Sequence, residues 1–214
     1  MGCSSELLAI IASVTDVSRQ MVRRLEGSTG RDYILISFKA DTQEAYPSGL
    51  TNHIITLETQ LDDLTQVLPN PGQILLSEAL ILARTSSLIH NAAKIYFHTS
   101  LRAALPSTHI IRRLLAEQVL LLQSMPAIQS AHLWSIFVTA LYAIEDDQRI
   151  FFLEQFDRLE IASSTRSSTH AARAIVQTVW KKRDLDADSE QSLEAGMSDW
   201  VKYVRPMSEG LSLA

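Results

Sequence analysis

Apolar residues recur at three- and four-residue spacing along most of the chain, which is the period of an amphipathic α-helix. The first stripe runs from Glu6 to Leu25, and Gly27 and Gly30 after it favour the end of a helix. Further stripes predict helices over Ser48–Leu68, Ile74–Ala104, a segment capped by Ser107 or Thr108 and ending near Met125, Ile128–Ile144, Asp147–Ile161, Thr169–Lys182 and Ser189–Leu213. The pattern therefore predicts about eight helices.

One stretch between the stripes has a different pattern. Tyr33–Phe38 is apolar enough for a short strand, but the sequence offers no second strand to pair with it. We therefore expect the surrounding Arg31–Pro47 to be a packed loop. The predicted fold class is all-α, an antiparallel multi-helix array with short turns and no substantial sheet. We expect a single domain over residues 1–214, with the serine- and threonine-rich Ser163–Thr169 as its candidate hinge.

Composition and charge restrict the function classes. Apolar residues make up 46% and charged residues 20% of the chain, which is typical of a globular protein. The net charge of −5 provides no overall basic field for nucleic acid, and we expect the local clusters Arg112–Arg113 and Lys181–Arg183 to be solvated helix ends. The most apolar run, Ala131–Ile144, is too short to cross a bilayer, so we expect no membrane partner.

The sequence lacks the usual signatures of catalysis and metal binding. It has no Gly-x-Ser-x-Gly elbow, no glycine-rich phosphate loop and no closely spaced histidine pair. The acidic clusters Asp62-Asp63 and Glu145–Asp147 lack the further acid, one helical turn later, that a magnesium motif requires. We therefore expect no catalytic residue, no cofactor and no metal ligand, and favour a protein that is not an enzyme.

The single cysteine indicates a reducing compartment, and the residues around it predict the start of the first helix. Cys3 is the only cysteine, so no internal disulfide can form, and we expect a location in the nucleus or cytoplasm. Met1–Glu6 resembles a myristoylation signal, but Glu6 stands where that signal requires serine or threonine. We instead expect a helix start with Ser4 or Ser5 as its cap.

Aromatic residues with polar tips cluster on two of the predicted helices. Apolar walls with a few polar groups are typical of a small-molecule pocket, although such residues also form plain core. The candidate pocket residues are Tyr96, His98, Trp134, Phe137 and Tyr142.

Several segments carry a resemblance to a known family. They are Gly2–Leu8, Ala93–His98 and Leu133–Ala140, with Asp147–Arg149 and the tryptophan segments Val179–Asp184 and Asp199-Trp200 in support. Together they resemble the fungal-specific transcription factor domain that lies C-terminal to a binuclear zinc cluster, in the class of regulators of arginine metabolism and GABA catabolism. Ser135 stands where the family commonly has proline after the tryptophan, which removes a kink-inducing residue.

The resemblance implies a regulatory domain that controls transcription and senses a metabolite or a partner. The family's DNA reader binds two zinc ions through six cysteines, and this chain has one cysteine, so zinc is expected only in a cluster upstream of Met1. Contact with DNA would then be indirect, through a homodimer or a heterodimer with a full-length regulator. The alternative is a recruited small-molecule binder or shape-selective catalyst, such as a cyclase, in fungal secondary metabolism.

Overall fold

The computed structural model describes residues 4–26, 48–65, 76–162, 166–187 and 200–204, and it confirms the predicted all-α fold class. The elements in chain order are α1 Ser5–Glu26, α2 Ser48–Asp63, α3 Leu76–Leu101, α4 His109–Gln123, a 3₁₀ turn Ser130–His132, α5 Leu133–Ala140, α6 Asp146–Ala162, α7 Arg166–Ala187 and a π-helical turn Trp200–Val204. These described ranges contain no strand.

The longest helix, α3, lies at the centre of the fold. It packs against α1, α2, α4, α5 and the π-helical turn. Its buried apolar residues include Leu88, Ile95 and Phe97, all 0% exposed. A second group forms where α6 and α7 pack on each other and on α5, with Phe152 and Val179 fully buried. Both groups belong to one continuous core.

Neighbouring helices are antiparallel, as the turn lengths predicted. Arg84 near the start of α3 donates from Nη1 to the Ser124 carbonyl after the end of α4, at 2.6 Å. Farther along, Asn91 Nδ2 donates to the Leu114 carbonyl at 2.7 Å and to Gln118 Oε1 at 2.9 Å. These buried groups satisfy one another, and they fix the register of α3 against α4.

Local capping and first-turn charges explain where α1 and α6 begin. The Leu7 N–H donates to Ser4 Oγ at 3.2 Å, so the predicted serine cap of α1 is confirmed. Asp146 and Asp147 occupy the first turn of α6, where the positive end of the helix dipole favours carboxylates. Thr108 precedes α4 as predicted, but its hydroxyl donates to the Leu105 carbonyl and does not cap the helix.

Helix ends departed further from prediction. α3 ends at Leu101 and not at Ala104, because Ala103 adopts a left-handed backbone (φ 50°) and the Ala104 N–H donates to the His98 carbonyl at 3.0 Å. Left-handed geometry costs an L-residue about 1–2 kcal/mol, so this turn depends on the packing around it. α2 likewise ends at Asp63, five residues before the predicted Leu68.

The predicted helix Ile128–Ile144 is two shorter elements. The His132 ring Nδ1 accepts the Gln129 N–H at 3.0 Å and closes the 3₁₀ turn, so α5 begins only at Leu133. At its other end, the Tyr142 N–H donates to the Thr139 carbonyl at 3.0 Å, an i to i−3 bond that tightens the last turn.

Some predictions fall wholly or partly outside the described residues. These are the packed loop Arg31–Pro47, the N-terminal Met1–Cys3, the last three residues of Ser48–Leu68, the first two of Ile74–Ala104, and most of the final helix Ser189–Leu213. Of the candidate hinge, residues 166–169 form the first turn of α7, and 163–165 lie outside the described part.

Candidate functional site

Two of the predicted pocket residues meet where α1, α3 and α5 pack together. The ring centroids of Tyr96 and Trp134 are 6.2 Å apart, with the rings edge to face at 82°. The Tyr96 hydroxyl lies 3.1 Å from Thr15 Oγ1 of α1. Burial raises the pKa of Tyr96, and Trp134 is half-buried. The result is an aromatic corner with a hydrogen-bonded hydroxyl, which we call the Tyr96 corner.

His98 lies on a different side of α3. Residues two apart on a helix point about 200° from each other, so Tyr96 and His98 diverge. His98 is half-buried towards α2. Burial is the larger effect and lowers the pKa of His98, and the carboxylates of Glu58 and Asp62 oppose it in part. Its ring contacts Phe97 edge to face, with centroids 5.4 Å apart. The structure therefore places His98 at the α2–α3 seam and away from the Tyr96 corner.

The other two pocket candidates are core residues. Phe137 and Tyr142 are each 1% exposed and belong to the continuous hydrophobic core. Of the five predicted residues, the structure thus brings together Tyr96 and Trp134 and separates His98 from them.

A surface groove of about 500 Å³ lies elsewhere, between the start of α1 and the outer face of α2. Its lining consists of Glu6, Ile55, Thr56, Thr59, Gln60, Asp63, Leu64 and Thr65. The hydroxyls of Thr56 and Thr59 donate to carbonyls one turn earlier in α2, so they offer acceptors to the groove. The two ionisable groups of the lining are both acidic. Sequence periodicity did not predict this groove, because its residues occupy the solvent side of a helical stripe.

A buried histidine links α3 to the start of α5. His132 is 1% exposed, and its Nε2 lies 3.0 Å from Thr85 Oγ1. Because Nδ1 accepts the Gln129 N–H, the proton of the neutral ring is on Nε2, which therefore donates to Thr85. Burial lowers the pKa of His132 and favours this neutral form. Its role is to orient the 3₁₀ turn.

An arginine–tryptophan junction joins α5, α6 and α7. Arg149 binds Asp184 through two hydrogen bonds of 2.8 and 2.7 Å, and its guanidinium lies 5.5 Å from the ring centroid of Trp180. The Trp180 Nε1–H donates to the Ala140 carbonyl at the end of α5, at 2.8 Å. The hydrogen bonds of Arg149 are the main cause of the lowered pKa of Asp184. This junction closes the last turn of α5 with side chains from two other helices.

Asp186 of α7 binds two side chains of the π-helical turn. Asp186 accepts a hydrogen bond from the Tyr203 hydroxyl at 2.7 Å and pairs with Lys202 Nζ at 2.6 Å. The Lys202 and Tyr203 hydrogen bonds lower the pKa of Asp186, and that pairing raises the pKa of Lys202 despite its partial burial. Val204 is 1% exposed, so the turn also contributes to the core.

The donor set does not fit a zinc cluster. Two zinc ions in a binuclear cluster need six thiolates, and the whole sequence contains one cysteine. Among the residues that the structure describes, no group of three or more His, Cys, Asp or Glu side chains is arranged to hold a metal ion. No helix within the described ranges is long and apolar enough to span a membrane.

Comparison with protein families gives a match over the whole chain. The family model described as "Fungal specific transcription factor domain" matches residues 1–214. Comparison with proteins of curated function gave no significant match, and neither did comparison with solved structures.

Proposed function

Since the chain belongs to the fungal-specific transcription factor domain family, we propose that it is a regulatory module that controls transcription in response to a partner protein or a metabolite, without reading DNA itself. The family match over residues 1–214 carries the proposal. The single cysteine supports the second part of the proposal, that the chain does not read DNA, because six thiolates are needed to bind the two zinc ions of the family's DNA-binding cluster. The proposed site of action is the nucleus.

The geometry favours a partner over a metabolite as the controlling signal. Phe137 and Tyr142, which would have been the walls of an internal pocket, are closed into the core at 1% exposure. The groove between α1 and α2 is open to solvent, where a protein segment can reach its threonine, carboxylate and isoleucine side chains. A homodimer, or a heterodimer with a full-length regulator, would bring the module to DNA.

The Tyr96 corner supports the metabolite branch of the proposal. Its edge-to-face rings and the Tyr96 hydroxyl would suit a small molecule with an apolar body and one polar group, if Trp134 turned outwards. No observation on the described residues favours the alternative of a cyclase or other catalyst.

Two binding measurements test the proposal. In the first, the purified chain is used as bait for a full-length zinc-cluster regulator of the same family. In the second, its thermal unfolding is followed with arginine and γ-aminobutyrate, the metabolites of the regulators it resembles. We expect capture of the regulator, or a rise in melting temperature that Trp134→Ala abolishes and the exposed-site control Leu185→Ala leaves unchanged. The proposal is rejected if the chain captures no regulator and its melting temperature does not rise with either metabolite.

A further inference from the structure

Helices α4 and α6 each present an exposed stripe of the same spacing. On α4 the stripe consists of His109, Arg113, Ala116 and Leu120, separated by four, three and four residues. On α6 it consists of Ile150, Glu154, Asp157 and Ile161, with the same separations. Leu120 is 65% exposed, Ile150 56% and Ile161 84%, so each stripe places large apolar side chains in solvent.

The two stripes differ in charge. Arg112 and Arg113 lie together on the exposed side of α4, and among the described residues the acid paired with Arg113 is Glu117, at 3.8 Å. The exposed charged residues of α6 are all acidic: Asp146, Asp147, Glu154 and Asp157. Asp157 already pairs with Arg173 of α7, so Glu154 is the acid that the α6 stripe offers to a partner, and the α4 stripe offers the cation of Arg113.

The two stripes belong to helices with different main neighbours. α4 packs chiefly on α3, whereas α6 packs on α5 and α7. A second copy brings the complementary stripe. Aligned in either direction, the equal spacing sets Arg113 beside Glu154 or Asp157, and Leu120 beside Ile161 or Ile150.

We propose that the α4 stripe of one copy docks on the α6 stripe of a second copy. This deepens the self-association included in the proposed function and rests on it. Because the two stripes differ, the contact either closes reciprocally into a two-fold dimer or leaves one α4 and one α6 stripe open for a further copy. Two helices side by side form a small interface, in the class of weak and transient contacts, so association is expected at micromolar concentration.

Sedimentation velocity across the micromolar range tests the proposal. The wild-type chain is expected to gain mass with concentration and to lose it as salt rises, because exposed charges are screened. Arg113→Glu and Glu154→Lys are each expected to weaken association about tenfold or more, because a like charge then faces each stripe. Neither residue is buried, and circular dichroism melts check that each variant folds.

The decisive arm mixes the two variants. The Glu154→Lys chain keeps a native α4 stripe and the Arg113→Glu chain a native α6 stripe, so the mixture is expected to recover association as a dimer that contains one copy of each variant. Lys181→Glu, a charge reversal at an exposed site on α7, is the matched control and should leave association unchanged. A wild-type chain that stays monomeric, variants that associate like wild type, or a mixture that fails to recover would each overturn the proposal. A wild-type chain that stays monomeric overturns only the self-association, because capture of a full-length regulator tests the proposed function separately.

Discussion

Replacing Arg149 with methionine should destabilise the junction of α5, α6 and α7. Methionine keeps much of the apolar stem and removes the guanidinium. The substitution therefore deletes both hydrogen bonds to Asp184 and the contact with the Trp180 ring. It also leaves Asp184 without its cation in the last turn of α7, where the helix dipole disfavours a carboxylate.

The expected loss follows from these contacts. The Asp184 side chain is 54% exposed and that of Arg149 17%, so their pairing contributes about 1 kcal/mol after solvent screening. The cation–π contact at a partly exposed site contributes about 0.5–1 kcal/mol. We therefore expect Arg149→Met to cost about 1.5–2 kcal/mol, which lowers the melting temperature of a domain of this size by about 3–8 °C.

Urea unfolding followed by circular dichroism measures this change. The matched control is Lys181→Met, the same loss of a cation at an exposed site on α7, which should change stability by less than about 0.5 kcal/mol. A double-mutant cycle with Asp184→Asn should give a coupling energy of about 1 kcal/mol. Equal costs for Arg149→Met and Lys181→Met, or a cycle without coupling, would show that the Arg149 contacts do not stabilise the junction.

Three further substitutions probe other contacts. Trp180→Phe removes the buried donor to the Ala140 carbonyl and should cost about 1–3 kcal/mol in urea unfolding, and an unchanged midpoint would contradict this bond. Burial lowers the pKa of His132, so the stability that depends on its neutral ring should be fully present above the unfolded-state pKa of about 6.5 and should fall as the pH drops below it. His132→Gln should flatten that fall between about pH 7.5 and 5.5. An equal slope in the variant would assign the effect to other groups. Asp186→Asn should speed amide hydrogen exchange in residues 200–204 while leaving α1 unchanged, and equal speeding in α1 would indicate global destabilisation instead.

Much of the fold could be predicted because the signals are local. The stripe and serine cap of α1 placed its ends within one residue, and the acids before α6 did the same for that helix. The left-handed turn at Ala103 could not be predicted, since alanine disfavours this conformation and the hydrogen bond from the Ala104 N–H to the His98 carbonyl that closes the turn leaves no mark in the sequence. The division before α5 arises from the ring of His132, a contact that periodicity does not encode.

The candidate site was predicted only in part, because it depends on contacts between distant residues. The pairing of Tyr96 with Trp134 joins positions on two helices whose crossing the sequence does not specify. The separation of His98 from Tyr96 could have been predicted, since two residues apart on a helix means opposite sides. The Arg149–Asp184 bond spans 35 positions, so the sequence shows two charged helix ends but not their partnership.

The central claim is that this chain regulates transcription without reading DNA itself. A tethered reporter assay in a fungal host tests this claim most directly. The chain is fused to an unrelated DNA-binding module, and reporter output is compared with that of the module alone and of a fusion carrying Arg149→Met with Trp180→Phe. We predict that the wild-type fusion changes reporter output, that the doubly substituted fusion does so less, and that the unfused chain has no effect at the same promoter. Equal output from the wild-type fusion and the module alone would contradict the account.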